Sequence, residues 1–300
     1  MRHATDRFGR LVEGAFRVQA LAVYVFLFLP IAVVVLFSFN GTNRFVTDWQ
    51  GFSIKWYLRA LADSNVQHAL WTSLSVALVN AVLATAFGTM AALGLQRVPR
   101  RIRSIFVTLT YVSIIIPEIV IALATLVLFT LFRDTANPIL AQLAAAGSKG
   151  PRIGLGPWSI VLAHVLFNLS LVLLLVRARI SGMDRTLVDA SYDLFATPWR
   201  TFRQITFPQL FPAIVAGFLL SFTFSFDDYV ISSFVSGSET TLPLFVFSQT
   251  RQGVTPLTNA IAALMLLVTF VILVVGQWIL ARQARRTGDQ GRTPLSMLET

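Results

Sequence analysis

The chain has 300 residues, of which 55% are hydrophobic and only 13% charged, with a formal net charge of +10 and no Cys. Charged residues make up about 25% of an ordinary soluble domain, so this composition excludes one, and the lack of Cys excludes disulfides and thiol chemistry. The basic residues flank apolar runs, which makes them topology signals and lipid headgroup contacts and argues against a nucleic-acid surface.

Residues 1–19 are a basic lead-in with Arg2, Arg7, Arg10 and Arg17. The first apolar run, Ala20 to Phe39, matches the roughly 20 residues needed to cross the hydrocarbon core. No small-residue cleavage pattern follows it, so it reads as a retained span and not as a signal peptide. In the polar loop 40–69, residues 52–61 predict a short interfacial helix with Trp56 and Tyr57 at headgroup level. A second span is expected over about 70–95, with Ala84, Gly88 and Ala92 as a small-residue stripe that admits a close neighbour. A third is expected over about 104–132, with Pro117 and Glu118 at its middle. Loop 133–157 contains an Ala-rich stretch too short to cross. A fourth span, about 158–178, carries His164 and Asn168 one turn apart, a spacing that suits an interhelical hydrogen-bond pair better than a metal site. The fifth, about 211–235, carries Asp227 and Asp228. Residues 242–249 predict a short surface helix, 258–281 a sixth span, and 282–300 a polar tail.

Basic residues number 17 on the side of the two termini and 7 on the other. The positive-inside rule then places both termini in the cytoplasm, together with the long polar break after the fourth span, residues 182–209. That break reads as two short helices and a bend. Asp184 caps the first, which sets Leu187, Ala190, Ser191 and Leu194 on one face. Thr197 and Pro198 begin the second, which runs through Trp199, Phe202 and Ile205 and ends at Phe207-Pro208.

Residues 184–212 resemble the coupling loop of ABC importer permeases, E-A-A-x3-G-x9-I-x-L-P, with Asp189, Ala190 and Ser191, then Phe195, then Ile205, Phe207 and Pro208 at the matching positions. Phe195 stands where the family has Gly. A Phe in the left-handed conformation is strained by roughly 1–2 kcal/mol, so a bend with negative backbone angles is expected there. IKWYLRAL (54–61), IIIPEIVIAL, WSIVLAHVLFNLSLV, SFDDYVISSFVSG, TTLPLFVFS and GVTPLTNAI are similar to the spermidine/putrescine branch of these permeases, over most of residues 50–275. The resemblance implies an all-α integral membrane protein of the type I ABC importer permease fold, with six transmembrane helices, in the bacterial cytoplasmic (inner) membrane. It implies a related second permease subunit, two ATPase subunits and an extracytoplasmic substrate-binding protein as partners. ATP and Mg would be held by the ATPase, because this chain has no Gly-rich phosphate loop. Asp189, Ala190, Ser191, Leu194, Phe195, Ile205, Phe207 and Pro208 would then couple to the ATPase.

Glu118, Asp227 and Asp228 lie inside apolar spans, where acids are rare and face a bundle interior or a water-filled path. At 1.5 Å per residue, Glu118 is roughly 21 Å and Asp227 roughly 24 Å from the cytoplasmic ends of their spans. The apolar cores of the spans hold no Lys or Arg, and His164 is the one titratable partner. An unpaired carboxylate in hydrocarbon costs several kcal/mol or takes a proton. A path admitting a small organic cation resolves that cost, with Phe226 and Tyr229 available for cation–π contacts. The expectation is a non-catalytic subunit of an ATP-driven importer of such a cation. The competing readings are a secondary transporter or channel working without ATP, for which a two-helix docking loop is superfluous, and a membrane scaffold, which leaves the acids without a role.

Overall fold

The computed structural model describes residues 2–43, 46, 48–143 and 154–286. Among them it is almost wholly helical. In order come α1 (Arg2–Ser38), α2 (Lys55–Ala62), α3 (Ser64–Gly94), α4 (Arg100–Ile115), α5 (Glu118–Leu143), α6 (Pro157–Ser181), α7 (Thr186–Asp193), α8 (Pro198–Thr201), α9 (Phe207–Asp227), α10 (Val230–Val235), α11 (Leu242–Thr250) and α12 (Pro256–Arg286). Among the described residues, six helical stretches are long and apolar enough to cross a membrane: Glu13–Ser38, Ser64–Gly94, Glu118–Pro138, Pro157–Ser181, Pro198–Asp227 and Pro256–Arg282. Residues 144–153 of the loop at 133–157, and all of the tail beyond Arg286, lie outside the described residues.

Two compact units are present, Met1–Gln67 with Val246–Leu267, and His68–Phe245 with Val268–Thr300. In the first, the apolar stretch of α1 has no buried residue, which suits a helix apolar all round and set in lipid. The connection after α1 is organised by Asn40, which is fully buried. Its Oδ1 accepts from Thr42 N at 3.2 Å and Gln50 N at 3.0 Å, and its Nδ2 donates to Asp48 O at 2.9 Å. The short helix expected over 52–61 forms over Lys55–Ala62 as α2. Trp56 is buried, and its Nε1–H donates to Asn40 O at 2.9 Å. Indole burial needs a partner for the N–H, and the loop carbonyl supplies it.

In the second unit α6 is the central element, packed on α9, α4, α10 and α5. The small-residue stripe of α3 does what its spacing suggests: Ala84 and Ala92 are buried, and Gly88 lies against Val172 of α6. A buried bond from Asn80 Nδ2 to Ser221 O, 3.0 Å long, ties α3 to α9. One apolar cluster gathers Val172, Leu173, Val176 and Ile180 of α6 with Ala92, Leu95 and Leu210. A second gathers Ile160 and Ala163 with Val76, Ala122, Phe129, Ile231 and Val235.

Three boundaries differ from the sequence reading, each for a backbone reason. The third span is not one helix over 104–132. It breaks at Ile116, whose ψ of 131° is extended, because the Pro117 ring disfavours the helical region for the residue before it. α5 then carries on to Leu143 and takes in the first part of the stretch read as loop, residues 133–143. The fifth span stops at Asp227 and resumes as α10, with Asp228 extended at ψ 125°. Finally, Phe207-Pro208 does not end the helix begun at Pro198. A wide turn over Phe202–Thr206 bonds Phe207 N to Phe202 O and leads straight into α9. Pro208 has no N–H to give to the turn before it, and a widened turn at that place lets the helix continue.

Candidate functional site

The segment between α6 and α9 folds as two short helices around a bend. Asp184 Oδ1 accepts from Thr186 N at 2.9 Å and Thr186 Oγ1 at 2.7 Å. The hydroxyl contact above all holds the Asp184 carboxyl below its ordinary range. Thr197 caps α8 as expected, accepting from Arg200 N at 3.4 Å, with Pro198 at the first helical position.

The bend itself contradicts the expected negative angles: Phe195 has φ 58°. The cause is a helix-ending motif in which Ala196 N bonds Ser191 O at 3.0 Å and Phe195 N bonds Tyr192 O at 2.9 Å. This pair of bonds requires a left-handed residue at position 195. Two bonds at about 0.5–1.5 kcal/mol each match or exceed the roughly 1–2 kcal/mol of strain, and the motif wins. The Phe195 side chain is 96% exposed and Leu194 81% exposed.

Ser191 does not share the outward face. It is 8% exposed, and its Oγ bonds Thr201 Oγ1 at 2.8 Å, joining α7 to α8. Asp189, Ala190 and Phe207 are exposed, whereas Ile205 and Pro208 are half-buried. Behind the segment lies a cavity of about 590 Å³, bordered by Gln96, Arg97, Met183, Asp189, Tyr192 and Thr201 among others.

The second feature is a buried polar cluster where both broken helices meet α6. Asp228 Oδ2 accepts from His164 Nε2 at 3.0 Å and from Ser232 N at 2.8 Å, and Oδ1 accepts from Ile231 N at 3.3 Å. The side chain thus caps α10, and these local bonds compete with helix continuation at residue 228. His164 Nδ1 bonds Ser225 Oγ at 2.7 Å. Both His164 and Asp228 are buried.

Glu118, in the first turn of α5, is half-buried. Glu118 and Asp228 line one narrow cleft with His164, Phe167, Asn168 and Phe224. Asp227 turns away, is exposed, and meets Thr269 Oγ1 at 3.5 Å. The adjacent acids diverge because Asp227 closes α9 while extended Asp228 turns back to His164 and the start of α10.

Two expected path residues are placed differently from the sequence reading. Phe226 is fully buried, stacked on Phe222 with centroids 5.7 Å apart. Asp228 is saturated by its own chain. Ser225, Ser232 and Phe224 were not singled out by the sequence. Ser225 and Ser232 stand three before and four after Asp228, a spacing that returns to the same helical face, but the break between α9 and α10 was needed to bring them together.

The chain matches the family described as "Binding-protein-dependent transport system inner membrane component" over residues 84–289. It is 35% identical over 283 residues to the spermidine/putrescine transport system permease protein PotC of Escherichia coli (strain K12), covering 94% of this chain and 98% of that protein. It is 36% identical over 279 residues to the putrescine transport system permease protein PotI of the same organism, covering 92% and 94%. Among solved structures it is similar to a chain of a bacterial ABC transporter involved in the import of the acidic polysaccharide alginate, with TM-score 0.71 and 14% identity over 94% of this chain and 99% of that one. At that identity the similarity speaks for the fold.

Proposed function

The chain belongs to the family of binding-protein-dependent transport system inner membrane components, and from that premise we propose that its cargo is a small organic polycation of the polyamine class. It is the membrane permease subunit of an ABC importer, with the type I permease fold and an inner-membrane location. The cargo reading is carried by one observation. Glu118 is half-exposed and Asp227 exposed where the spans break, at the start of α5 and the end of α9, and the chain's buried imidazole, His164, is already committed to Asp228. Among the described residues the two remaining carboxylates have no cationic partner, and a cationic cargo supplies one. The polyamine permeases reported above favour the same class.

In this reading both termini and residues 182–209 are cytoplasmic. The exposed face of Asp189, Ala190, Leu194 and Phe195 docks on an ATPase subunit, which holds ATP and Mg, and Ile205, Phe207 and Pro208 support the second arm. A second permease subunit, two ATPase subunits and an extracytoplasmic binding protein complete the transporter. The test is uptake by cells expressing the whole transporter, supplied with radiolabelled putrescine or spermidine and, as the contrast, a neutral diol of equal length. Saturable, ATP-dependent uptake of the diamine alone is expected. Uptake of the diol at the same rate, or none of either amine, overturns the cargo reading.

A further inference from the structure

The cleft bordered by Glu118, His164, Asn168 and Asp228 holds an unexplained polar atom. Asn168 is 1% exposed, and its Oδ1 has no hydrogen-bond partner among the described residues. A buried carbonyl oxygen left unpaired costs about 1–3 kcal/mol, and such atoms call for an explanation. This one lines the same cleft as two carboxylates and the rings of Phe167 and Phe224, which pack edge to face with centroids 6.0 Å apart.

We propose that this cleft is a subsite for one protonated primary amine of the cargo, with Glu118 and Asn168 as its acceptors. The inference rests on the polycation reading above and names the atoms that receive one end of the molecule. An –NH3⁺ group brings three donors and no acceptor. The cleft offers two acceptors, the Glu118 carboxylate and Asn168 Oδ1, with the saturated Asp228 carboxylate behind them. No side chain lining the cleft is a Lys or Arg; its donors are the Asn168 amide N–H groups and His164, which is held by Ser225 and Asp228. Asp228 and His164 act as positioning residues here. They fix the start of α10 and with it the wall of the cleft.

Both helix breaks border this place, and non-helical backbone at membrane depth is tolerated where it lines a cavity. The cleft is narrow, so the amine reaches it as a wall parts.

The experiment compares Asn168→Leu and Asn168→Asp in cells carrying the complete transporter. Leu removes the acceptor at nearly constant volume, and Asp keeps the acceptor and adds charge. Uptake of putrescine at saturating concentration is expected to fall about tenfold in Asn168→Leu, as for loss of one hydrogen bond to a charged group. Asn168→Asp is expected to keep at least half the normal rate. Co-purification of both variants with the ATPase subunit, and ATP hydrolysis stimulated by the amine-loaded binding protein, report whether the complex is intact. Normal uptake by Asn168→Leu overturns the subsite. Equal loss in both variants, with the complex assembled, also overturns it, because a purely structural role does not distinguish acceptor from apolar group in this order. If the unsubstituted transporter moves no amine, the cargo reading fails first, and the two failures are thereby distinguished.

Discussion

Gly88 on α3 sits so close to Val172 on α6 that a Cβ built on it would lie 2.8 Å from the Val172 Cβ and 3.1 Å from the Leu169 carbonyl oxygen. One of those neighbours is backbone and the other a branched side chain, and neither yields cheaply. Gly88→Val is therefore expected to destabilise the folded chain by at least about 1–3 kcal/mol, the usual cost of overpacking. A lowered melting temperature in detergent, with loss of folded protein on expression, is the measurement. Unchanged melting would show that the two helices separate at no cost.

Phe195→Gly should relieve backbone strain and lose no contact within the chain, because the aromatic ring is almost wholly exposed. The isolated chain is expected to be as stable as before or more stable by up to about 1 kcal/mol. Its hold on the ATPase subunit should weaken, since an exposed aromatic that gains nothing at home is a typical interface anchor. Thermal melting of the isolated chain and pull-down of the ATPase separate the two effects. Pull-down at normal strength removes Phe195 from the interface.

Ala190→Arg tests the neighbouring face, where a small exposed side chain leaves room for a groove to close over α7. It is expected to abolish uptake while leaving the chain folded, either by uncoupling ATP hydrolysis or by preventing assembly. Normal uptake in the assembled variant would put the docking surface elsewhere.

The acids of the cluster should separate by role. Asp228→Ala strips the cap from α10 and leaves His164 without its carboxylate, so a loss of ~3 kcal/mol or more of stability is expected, as for breaking a buried pair. Glu118→Gln keeps the size and hydrogen-bonding capacity of the half-buried side chain and should leave melting unchanged while reducing uptake of a diamine. Equal melting of both variants would contradict the division of labour, and normal uptake in Glu118→Gln would remove Glu118 from the path.

Much of the architecture was legible from residue order alone. Six apolar runs set the number of spans, because lipid forces every spanning segment to satisfy its backbone internally. The Ala84, Gly88 and Ala92 spacing announced a close helix contact, and Thr197-Pro198 marked a helix start, because both are local effects of side-chain size and backbone geometry. Only the tertiary structure decided where the helices break and which acid faces which way. Pro117 could have kinked a helix or split it, and the extended Ile116 settles that. Asp227 and Asp228 are chemically identical neighbours, and they part company because His164, sixty-four residues away in the chain, reaches one and not the other. Phe195 shows the same limit from the opposite side. Its intrinsic preference argued against a left-handed bend, but the two bonds closing α7, together with the Ser191–Thr201 bond across the bend, outweighed a strain that the residue type alone could not be expected to accept.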